Sequence, residues 1–254
     1  MDAILKVDNL TKIYTGTRQP DLPAVDHVSF SLQRGECLGL IGESGSGKTT
    51  IVNMITRLLD PTEGRIILDG ADITRLKSRK LAKIYRRMQM VFQTPAESFD
   101  PRRTLGDGIG ESLRNSGMSR AETKAEVIRL LKLCGLNEEF ARRYPHQVSG
   151  GQCQRAAIAR ALAVRPGLLI CDEATSALDV TVQQEILELL NELRWLGGIN
   201  LSILFICHDI ALVQQFCDRV LVLYQGRIVE EGQPDTVINS PQDPYTRRLI
   251  DSIL

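Results

Sequence analysis

A glycine-rich stretch next to a lysine is the first feature of this sequence that indicates chemistry. It reads GESGSGKTT over residues 42–50, with a short apolar run before it and an apolar-periodic run after it. Glycines let a loop wrap around phosphate groups with its N–H groups inward, the lysine neutralises phosphate oxygens, and the next hydroxyl can bind Mg²⁺. The pattern predicts a nucleotide phosphate loop between a strand and a helix. Its expected binding residues are Gly42, Ser44, Gly45, Ser46, Gly47, Lys48, Thr49 and Thr50.

Two adjacent acids end an apolar stretch much later in the chain. The letters LLICDE (168–173) predict a buried strand that ends in Asp172 and Glu173. The carboxyl ends of parallel strands face the crevice in which α/β sheets bind ligands, so these acids belong with the phosphate loop. Asp172 suits a magnesium ligand, and Glu173 suits a base that orients and deprotonates an attacking water.

A second glycine pair raises a separate question. In HQVSGGQCQR, the residues Ser149, Gly150, Gly151 and Gln152 stand at or just before a stretch, 153–163, that reads as a helix. Helix N-termini favour anions because backbone N–H groups point outward there and the helix dipole is positive. This stretch has no lysine, so the question is why one chain would carry two phosphate contacts.

The elements that must position these motifs follow from the hydrophobic pattern. Over residues 1–93 and 166–254, strand-like runs and helical periodicity alternate, which predicts a parallel sheet covered by helices. Over 94–165, helical periodicity dominates instead. We expect one domain, 1–254, with a helical subdomain inserted into an α/β core.

Composition excludes several other classes of protein. Basic and acidic residues balance at 31 each, which gives no support for nucleic-acid binding. Apolar runs stop at about five residues, far short of the ~20 that cross a bilayer, and the start shows no signal peptide. The 6 cysteines lack metal-ligand spacing and lie mostly in apolar runs, so we expect reduced, structural thiols. A cytosolic protein is expected, whose membrane role would require a partner.

The order of the motifs resembles one family over nearly the whole chain. The phosphate loop, VFQ, VSGGQ, CDEATSALD and ICHD follow each other as in the nucleotide-binding subunits of ATP-binding cassette (ABC) transporters. The resemblance implies an ATPase coupled to transport. It also implies a P-loop NTPase fold with a mixed-sheet core, an N-terminal antiparallel β subdomain and an inserted helical subdomain. In that family the SGGQ loop contacts the γ-phosphate of ATP held by the other subunit of a head-to-tail dimer, which explains a second contact without a lysine.

Further roles are implied by the resemblance. Gln93 resembles the loop glutamine that contacts magnesium and the attacking water and links the site to the membrane partner. His208 resembles the switch histidine that contacts the γ-phosphate, and Tyr14 resembles the aromatic that stacks on adenine. Ser176 and Asp179 resemble the loop that communicates across the dimer, although either residue alone would be an ordinary helix N-cap. The implied catalytic residues are Glu173, His208 and Gln93, and the implied magnesium ligands are Thr49, Gln93 and Asp172.

Four longer stretches point to a branch of this family. DEATSALDVTVQ, SGGQCQR, MVFQTPAESFDPR and PYTRRL are similar to ATPases of dipeptide, oligopeptide and nickel importers. The chain ends without the cysteine-bearing extension of longer members, which argues against an iron–sulfur cluster and favours the nickel or metallophore type. The implied partners are a second, different ATPase subunit, a membrane permease contacted through 94–104, and indirectly an extracytoplasmic substrate-binding protein, but no nucleic acid. The implied location is the cytoplasmic face of the membrane.

Two alternatives remain open at this point. A soluble ABC subunit of a phosphonate-degradation complex shares the short length and the PYT ending. An ABC ATPase of nucleic-acid repair or translation is disfavoured by the single cassette, the missing coiled-coil insertion and the neutral charge.

Overall fold

The computed structural model describes residues 2–14, 22–77, 79–173, 179–195 and 200–252. The strands are β1 (Ala3–Ile13), β2 (Pro23–Gln33), β3 (Cys37–Ile41), β4 (Glu63–Leu68), β5 (Ala71–Asp72), β6 (Met88–Val91), β7 (Leu168–Asp172), β8 (Ser202–Ile206), β9 (Arg219–Tyr224) and β10 (Arg227–Gly232). The helices are α1 (Lys48–Ile55), α2 (Arg79–Ile84), α3 (Leu105–Asn115), α4 (Arg120–Leu133), α5 (Gly150–Leu162), α6 (Val180–Trp195), α7 (Ile210–Phe216), α8 (Pro234–Asn239) and α9 (Pro244–Asp251). Short 3₁₀ helices lie at Pro95–Ser98, Glu138–Arg142 and Pro145–Gln147. Within the described ranges, none of the helices has the length and apolar character needed to span a bilayer.

The chain forms two compact units. The first combines Met1–Tyr85 with Asn200–Leu254, and the second is Arg86–Ile199. The stretch 94–165, expected to be helical, lies inside the second unit, which also contains β6, β7 and α6.

The first unit contains an antiparallel sheet in the order β2-β1-β4-β5. Its central strand, β1, pairs Val7 with Phe30 on one side and with Ile66 on the other. Val7 is buried whereas its neighbour Lys6 is exposed, as expected for a strand with one face on the core. This is the N-terminal antiparallel β subdomain that the resemblance implied.

A mixed set of strands in the same unit leads into the phosphate loop. β3 lies parallel between β8 and β9, with Leu38 opposite Leu204 and Leu40 opposite Leu221, and β10 pairs antiparallel with β9. Every residue of β3 is buried, because a strand inside a parallel sheet is covered on both faces. β3 therefore fixes the position at which the phosphate loop begins, residue 42.

α1 begins directly after the phosphate loop and anchors its far end. It buries Ile51, Val52, Met54 and Ile55, and each such side chain contributes about 1.5–3 kcal/mol relative to exposure. The apolar run KTTIVNMITRLL suggests a longer helix, but α1 ends before Arg57, whose φ of 61° is left-handed. A residue in that conformation cannot continue a right-handed helix.

The second unit packs α3, α4 and α5 together and also holds the parallel pair β6–β7. Ser119 and Glu122 form a reciprocal capping box at the start of α4. On α3, a side chain at Gly110 would lie 2.8 Å from Cγ2 of Thr123, so the glycine permits close approach of α3 and α4.

The segment 94–104 is more ordered than the irregular loop that the sequence suggests. Pro95 lies at the first position of a 3₁₀ helix and is buried, and the Phe99 ring is only 5% exposed. The guanidinium of Arg160, on α5, lies 4.6 Å from the centre of that ring and donates to the carbonyl oxygen of Ser98. Phe99 therefore serves packing within the second unit rather than presenting a free surface.

Candidate functional site

The phosphate loop takes a backbone path that requires glycine at two of its positions. Gly42 and Gly47 have φ values of 148° and 111°. A Cβ atom at Gly42 would overlap the carbonyl oxygen of Leu223, and one at Gly47 would lie 2.6 Å from the carbonyl oxygen of Ala24. Gly45 also has a left-handed φ, of 80°, but has open space around it. The glycine spacing is thus set both by φ and by close backbone approach.

The side chain of Lys48 folds back onto the glycine-rich part of the phosphate loop. Its side chain is buried, with the residue 5% exposed, and its ammonium donates to the carbonyl oxygens of Gly42 at 2.6 Å and Glu43 at 2.9 Å. Thr49 next to it is exposed, and Thr50 is half-buried. The lysine charge is therefore placed at the loop by the first turn of α1.

The N-terminus of α1 fits an anion. Its N-cap, Gly47, has no side chain to accept from the first-turn N–H groups, and that turn carries no acidic residue. The buried hydroxyl of Ser46 has no hydrogen-bond partner among the described residues. Outward-facing donors, a positive helix end and a nearby ammonium are the features that bind phosphate.

Residues far along the chain support this loop, and motif reasoning missed them. The N–H of Gly226, in the β9–β10 turn, donates to the carbonyl oxygen of Ser46 at 2.8 Å. The hydroxyl of Tyr245, on α9, accepts from the N–H of Glu43 at 3.0 Å. In the sequence, PYT is a feature of family resemblance, and its spacing does not predict that this tyrosine reaches the loop.

Tyr14 and His208 also belong to the first unit. Tyr14 follows β1, is 44% exposed, and has the ammonium of Lys12 5.4 Å from its ring centre. An exposed ring of this kind is available for stacking. His208 is exposed between β8 and α7, and Asp209 beside it caps α7 by accepting from the N–H of Ala211 at 2.8 Å.

Gln93 and Glu173 emerge at the same edge of the second unit. β6 and β7 are parallel and pair Val91 with Cys171, so each of the two residues follows its paired strand position by the same distance along the chain. Gln93 is exposed, while Asp172 and Glu173 are half-buried. Glu173 has a φ of 48°, a left-handed conformation that is uncommon for a non-glycine residue and concentrates at functional sites.

The SGGQ stretch forms the first turn of a helix rather than the loop before it. Sequence periodicity suggested a helix over 153–163, but α5 begins at Gly150, with Ser149 as its N-cap. The Ser149 hydroxyl accepts from the N–H of Gln152 at 3.3 Å, and the Gln152 side chain accepts from the N–H of Ser149 at 3.0 Å. The reciprocal capping box draws the glycines into the helix, and two of the expected outward donors are satisfied internally.

Gly151 also has a structural task within the second unit. A Cβ atom there would overlap Cγ1 of Val182 on α6. Asp179 caps α6, because its carboxylate accepts from the N–H of Val182 at 3.1 Å. Ser176, predicted to act with Asp179, lies outside the described residues.

All six cysteines are buried, as expected for structural thiols. Burial raises the pKa of Cys134 to about 12 and that of Cys153 to about 11. Both side chains therefore stay protonated at neutral pH and pack as small apolar groups.

Comparisons with known proteins agree with this geometry. A family described as "ABC transporter" matches residues 25–176. A probable peptide ABC transporter ATP-binding protein of Sinorhizobium fredii is 47% identical over 98% of this chain and 72% of its own length. A putative peptide import ATP-binding protein of Brucella ovis is 45% identical over 98% of this chain and 78% of its own length.

Solved structures agree as well. The dimeric ATP-binding cassette MJ0796 bound to ADP and Pi has a TM-score of 0.81 at 33% identity, covering 91% of this chain and 98% of that one. CbiO1 of Clostridium perfringens, part of the ABC transporter complex cbiONQ, has a TM-score of 0.82 at 30% identity, covering 94% and 92%. The phosphate loop, the two acids at the end of β7 and the capped SGGQ helix thus occur in a chain that belongs to the ABC transporter family, as a subunit that binds and hydrolyses ATP.

Proposed function

We propose that this chain is the ATP-hydrolysing motor of a peptide importer, acting in a dimer beneath a membrane permease. The phosphate loop with its buried lysine carries the ATP-binding part of the proposal. Peptides are the proposed cargo because two relatives are named as peptide import or peptide ABC transporter ATP-binding proteins. Each matches 98% of this chain. These names favour peptides over nickel, and they do not favour the phosphonate-degradation alternative.

Binding of ATP rests on groups of the first unit. The ammonium of Lys48 and the N–H groups at the start of α1 neutralise and hold the β- and γ-phosphates. Ser44, Ser46 and Thr50 contribute small polar side chains around the same loop. Tyr14 stacks on the adenine ring, for which its exposed face is suited.

Hydrolysis requires a group that orients water and accepts its proton. Glu173 takes this role in our proposal, because a carboxylate in a strained backbone conformation at a strand end is the geometry of a dedicated base. Gln93, at the same edge, orients the water through its amide. His208 donates to the γ-phosphate and stabilises the charge that develops there.

Magnesium fits the oxygen donors that the sequence nominates. The Thr49 hydroxyl, the Asp172 carboxylate and the Gln93 amide oxygen are hard ligands of the kind Mg²⁺ takes, together with phosphate oxygens. Among the described residues, no group of three or more His, Cys, Asp or Glu side chains is placed to hold a metal ion. When bound, the ion neutralises charge on the transferred phosphoryl group.

The SGGQ helix serves the other subunit of the dimer in our proposal. The capping box uses the N–H groups of Ser149 and Gln152, so the amides of Gly150 and Gly151 are the donors left for a partner's γ-phosphate. Asp179 takes part in communication across the dimer while it caps α6. The dimeric structure of MJ0796 supports this arrangement, and a different ATPase chain as the natural partner is part of the proposal.

The helical stretch 94–165 transmits motion to the permease, and residues 1–93 with 166–254 form the nucleotide-binding core. The exposed part of 94–104 is the proposed permease contact. CbiO1, part of a transporter complex, supports a permease partner. We place the chain at the cytoplasmic face of the membrane and assign cargo capture to a separate extracytoplasmic protein.

Uptake by cells tests the proposed function directly. Cells that lack this chain should lose uptake of labelled oligopeptides and keep uptake of nickel ions, and the intact gene should restore peptide uptake. The Lys48→Ala gene, which lacks the phosphate clamp, should fail to restore it. Normal peptide uptake without the chain, or loss of nickel uptake alone, would contradict the peptide assignment.

A further inference from the structure

We propose that Tyr245 is a positioning residue for the phosphate loop, so that the C-terminal helix sets the affinity of this chain for nucleotide. This inference rests on the proposed use of that loop for ATP. The contact that carries it is the hydrogen bond from the backbone N–H of Glu43 to the Tyr245 hydroxyl, 3.0 Å long, between residues that lie 202 positions apart in the chain.

The Tyr245 side chain is fixed before it reaches the loop. The residue is 4% exposed, and its ring stacks on that of Tyr224 at the end of β9, with centres 4.0 Å apart and planes 25° apart. Stacking of this kind restricts ring rotation and translation. Burial raises the pKa of the Tyr245 hydroxyl, which keeps it neutral at physiological pH.

The start of α9 is fixed in turn by β10. The Glu230 carboxylate accepts from the N–H of Gln242 at 2.8 Å and from that of Asp243 at 3.0 Å. Asp243 then caps the helix by accepting from the N–H of Tyr245 at 2.7 Å. A continuous series of contacts therefore runs from β10 through the first turn of α9 to the phosphate loop.

Glu43 is the residue at which this series meets the lysine. Its N–H is held by Tyr245 and its carbonyl oxygen by the ammonium of Lys48 at 2.9 Å. Gly42 before it has a φ of 148°, a backbone freedom that permits other conformations. Holding both polar groups of Glu43 restricts the loop to one conformation, and a preorganised loop binds with higher apparent affinity than one that samples several.

Removal of one hydroxyl tests the proposal. Tyr245→Phe keeps the ring stack and deletes the acceptor. Tyr224→Phe deletes the hydroxyl of the stacked partner, which accepts from the side chain of the exposed Gln225 rather than from the phosphate loop. Titration of the full chain with a fluorescent ADP analogue should show Kd raised roughly three- to tenfold for Tyr245→Phe, the usual effect of one hydrogen bond, and unchanged for Tyr224→Phe. ADP is the probe because it needs no partner subunit. Steady-state hydrolysis should show a raised KM and an unchanged kcat.

Amide hydrogen exchange reports the contact itself. The Glu43 amide should exchange faster in Tyr245→Phe, while amides of β3 and α1 keep their protection. Equal ADP affinity in Tyr245→Phe and the wild-type chain would overturn the proposal. Equal losses in both variants would also overturn it, because the loss would then not depend on the hydroxyl that contacts Glu43. A wild-type chain that binds no ADP would contradict the proposed function instead, and exchange at Glu43 would still test the contact.

Discussion

At the scale of single residues, Glu173 combines a carboxylate with a backbone conformation that costs about 1–3 kcal/mol for a non-glycine residue. Glu173 takes this conformation directly after β7, and the first four residues of β7 are buried. Strain of this kind persists where the surrounding structure fixes the backbone, and buried β7 does so on the N-terminal side of Glu173. This constrained backbone suits the proposed role of Glu173, which requires its carboxylate in one orientation.

Replacement of Glu173 by Gln should separate binding from hydrolysis. The amide keeps the size of the side chain but accepts no proton, so turnover should fall roughly 10²–10⁴-fold while ATP still binds. Light scattering should show an ATP-bound dimer that accumulates. Glu188→Gln, an exposed change on α6, is the matched control and should hydrolyse normally. Near-normal turnover by Glu173→Gln would remove this residue from the base role.

Two loop glycines with left-handed φ values allow strain and overlap to be separated. Gly45→Ala should lower the free energy of unfolding by about 1–2 kcal/mol, which is the cost of a left-handed backbone conformation for alanine. No further cost is expected, because no atom lies within 4 Å of the new methyl group. Gly42→Ala should cost more and should weaken ADP binding, since its methyl group would overlap the carbonyl oxygen of Leu223. Urea unfolding and ADP titration measure both effects. Equal losses in the two variants would show that overlap is unimportant.

At the scale of elements, α5 performs two tasks from its opposite ends. Its first turn carries the SGGQ residues, and near its other end Arg160 holds the ring of Phe99 and the carbonyl of Ser98. Burial lowers the pKa of Arg160, and the guanidinium stays charged because its usual value is far above neutral pH. The segment proposed to contact the permease is thereby attached to the helix proposed to contact the partner's ATP.

The permease contact should be tested at exposed positions of that segment. Glu97→Arg should leave the free energy of unfolding unchanged and reduce stimulation of the ATPase by the permease, because Glu97 is exposed. Phe99→Ala, by contrast, should destabilise the chain by about 3–5 kcal/mol, since it empties a buried aromatic site. Glu188→Arg on α6 controls for the charge reversal. Full stimulation of Glu97→Arg would place the contact elsewhere.

At the scale of the whole molecule, the proposed contact of the SGGQ turn with a partner's γ-phosphate predicts that two inactive chains restore each other's activity. Lys48→Ala removes the clamp, and Gly150→Asp places a carboxylate against a partner's γ-phosphate. Gly150 is preferred to Gly151, where any side chain would first overlap Val182 of the same chain. In a mixed head-to-tail dimer one site keeps both its loop and its SGGQ turn, so mixing should restore part of the ATPase activity.

The control for this experiment is each variant alone, which should be inactive. If each chain built a complete site from its own residues, every site would keep one lesion and mixing would restore nothing. Where the natural partner is a different ATPase, the two changes belong on opposite partners, and one of the two sites should survive. No recovery in either format would contradict the shared site.

The sequence by itself determined the motifs and the types of secondary structure, because both depend on residues that are close together in the chain. The phosphate loop, the buried strand before Asp172 and the alternation of strands with helices follow from spacing and hydrophobic period, which are local properties. The ends of elements depend on more than the hydrophobic period. α5 begins at Gly150 because Ser149 and Gln152 cap it. The polar letters RIVEEG do not predict a buried strand, and they form β10 at the edge of its sheet.

Only the tertiary structure decided which distant groups meet. The burial of Phe99, the overlap that keeps Gly151 a glycine, and the hydrogen bond from Glu43 to Tyr245 each join residues far apart in the chain. Such contacts leave no periodic trace in the sequence, because the order of strands and the packing of helices set the distance between them. The sequence shows that a tyrosine occurs in PYTRRL, but only the fold places its hydroxyl against the phosphate loop.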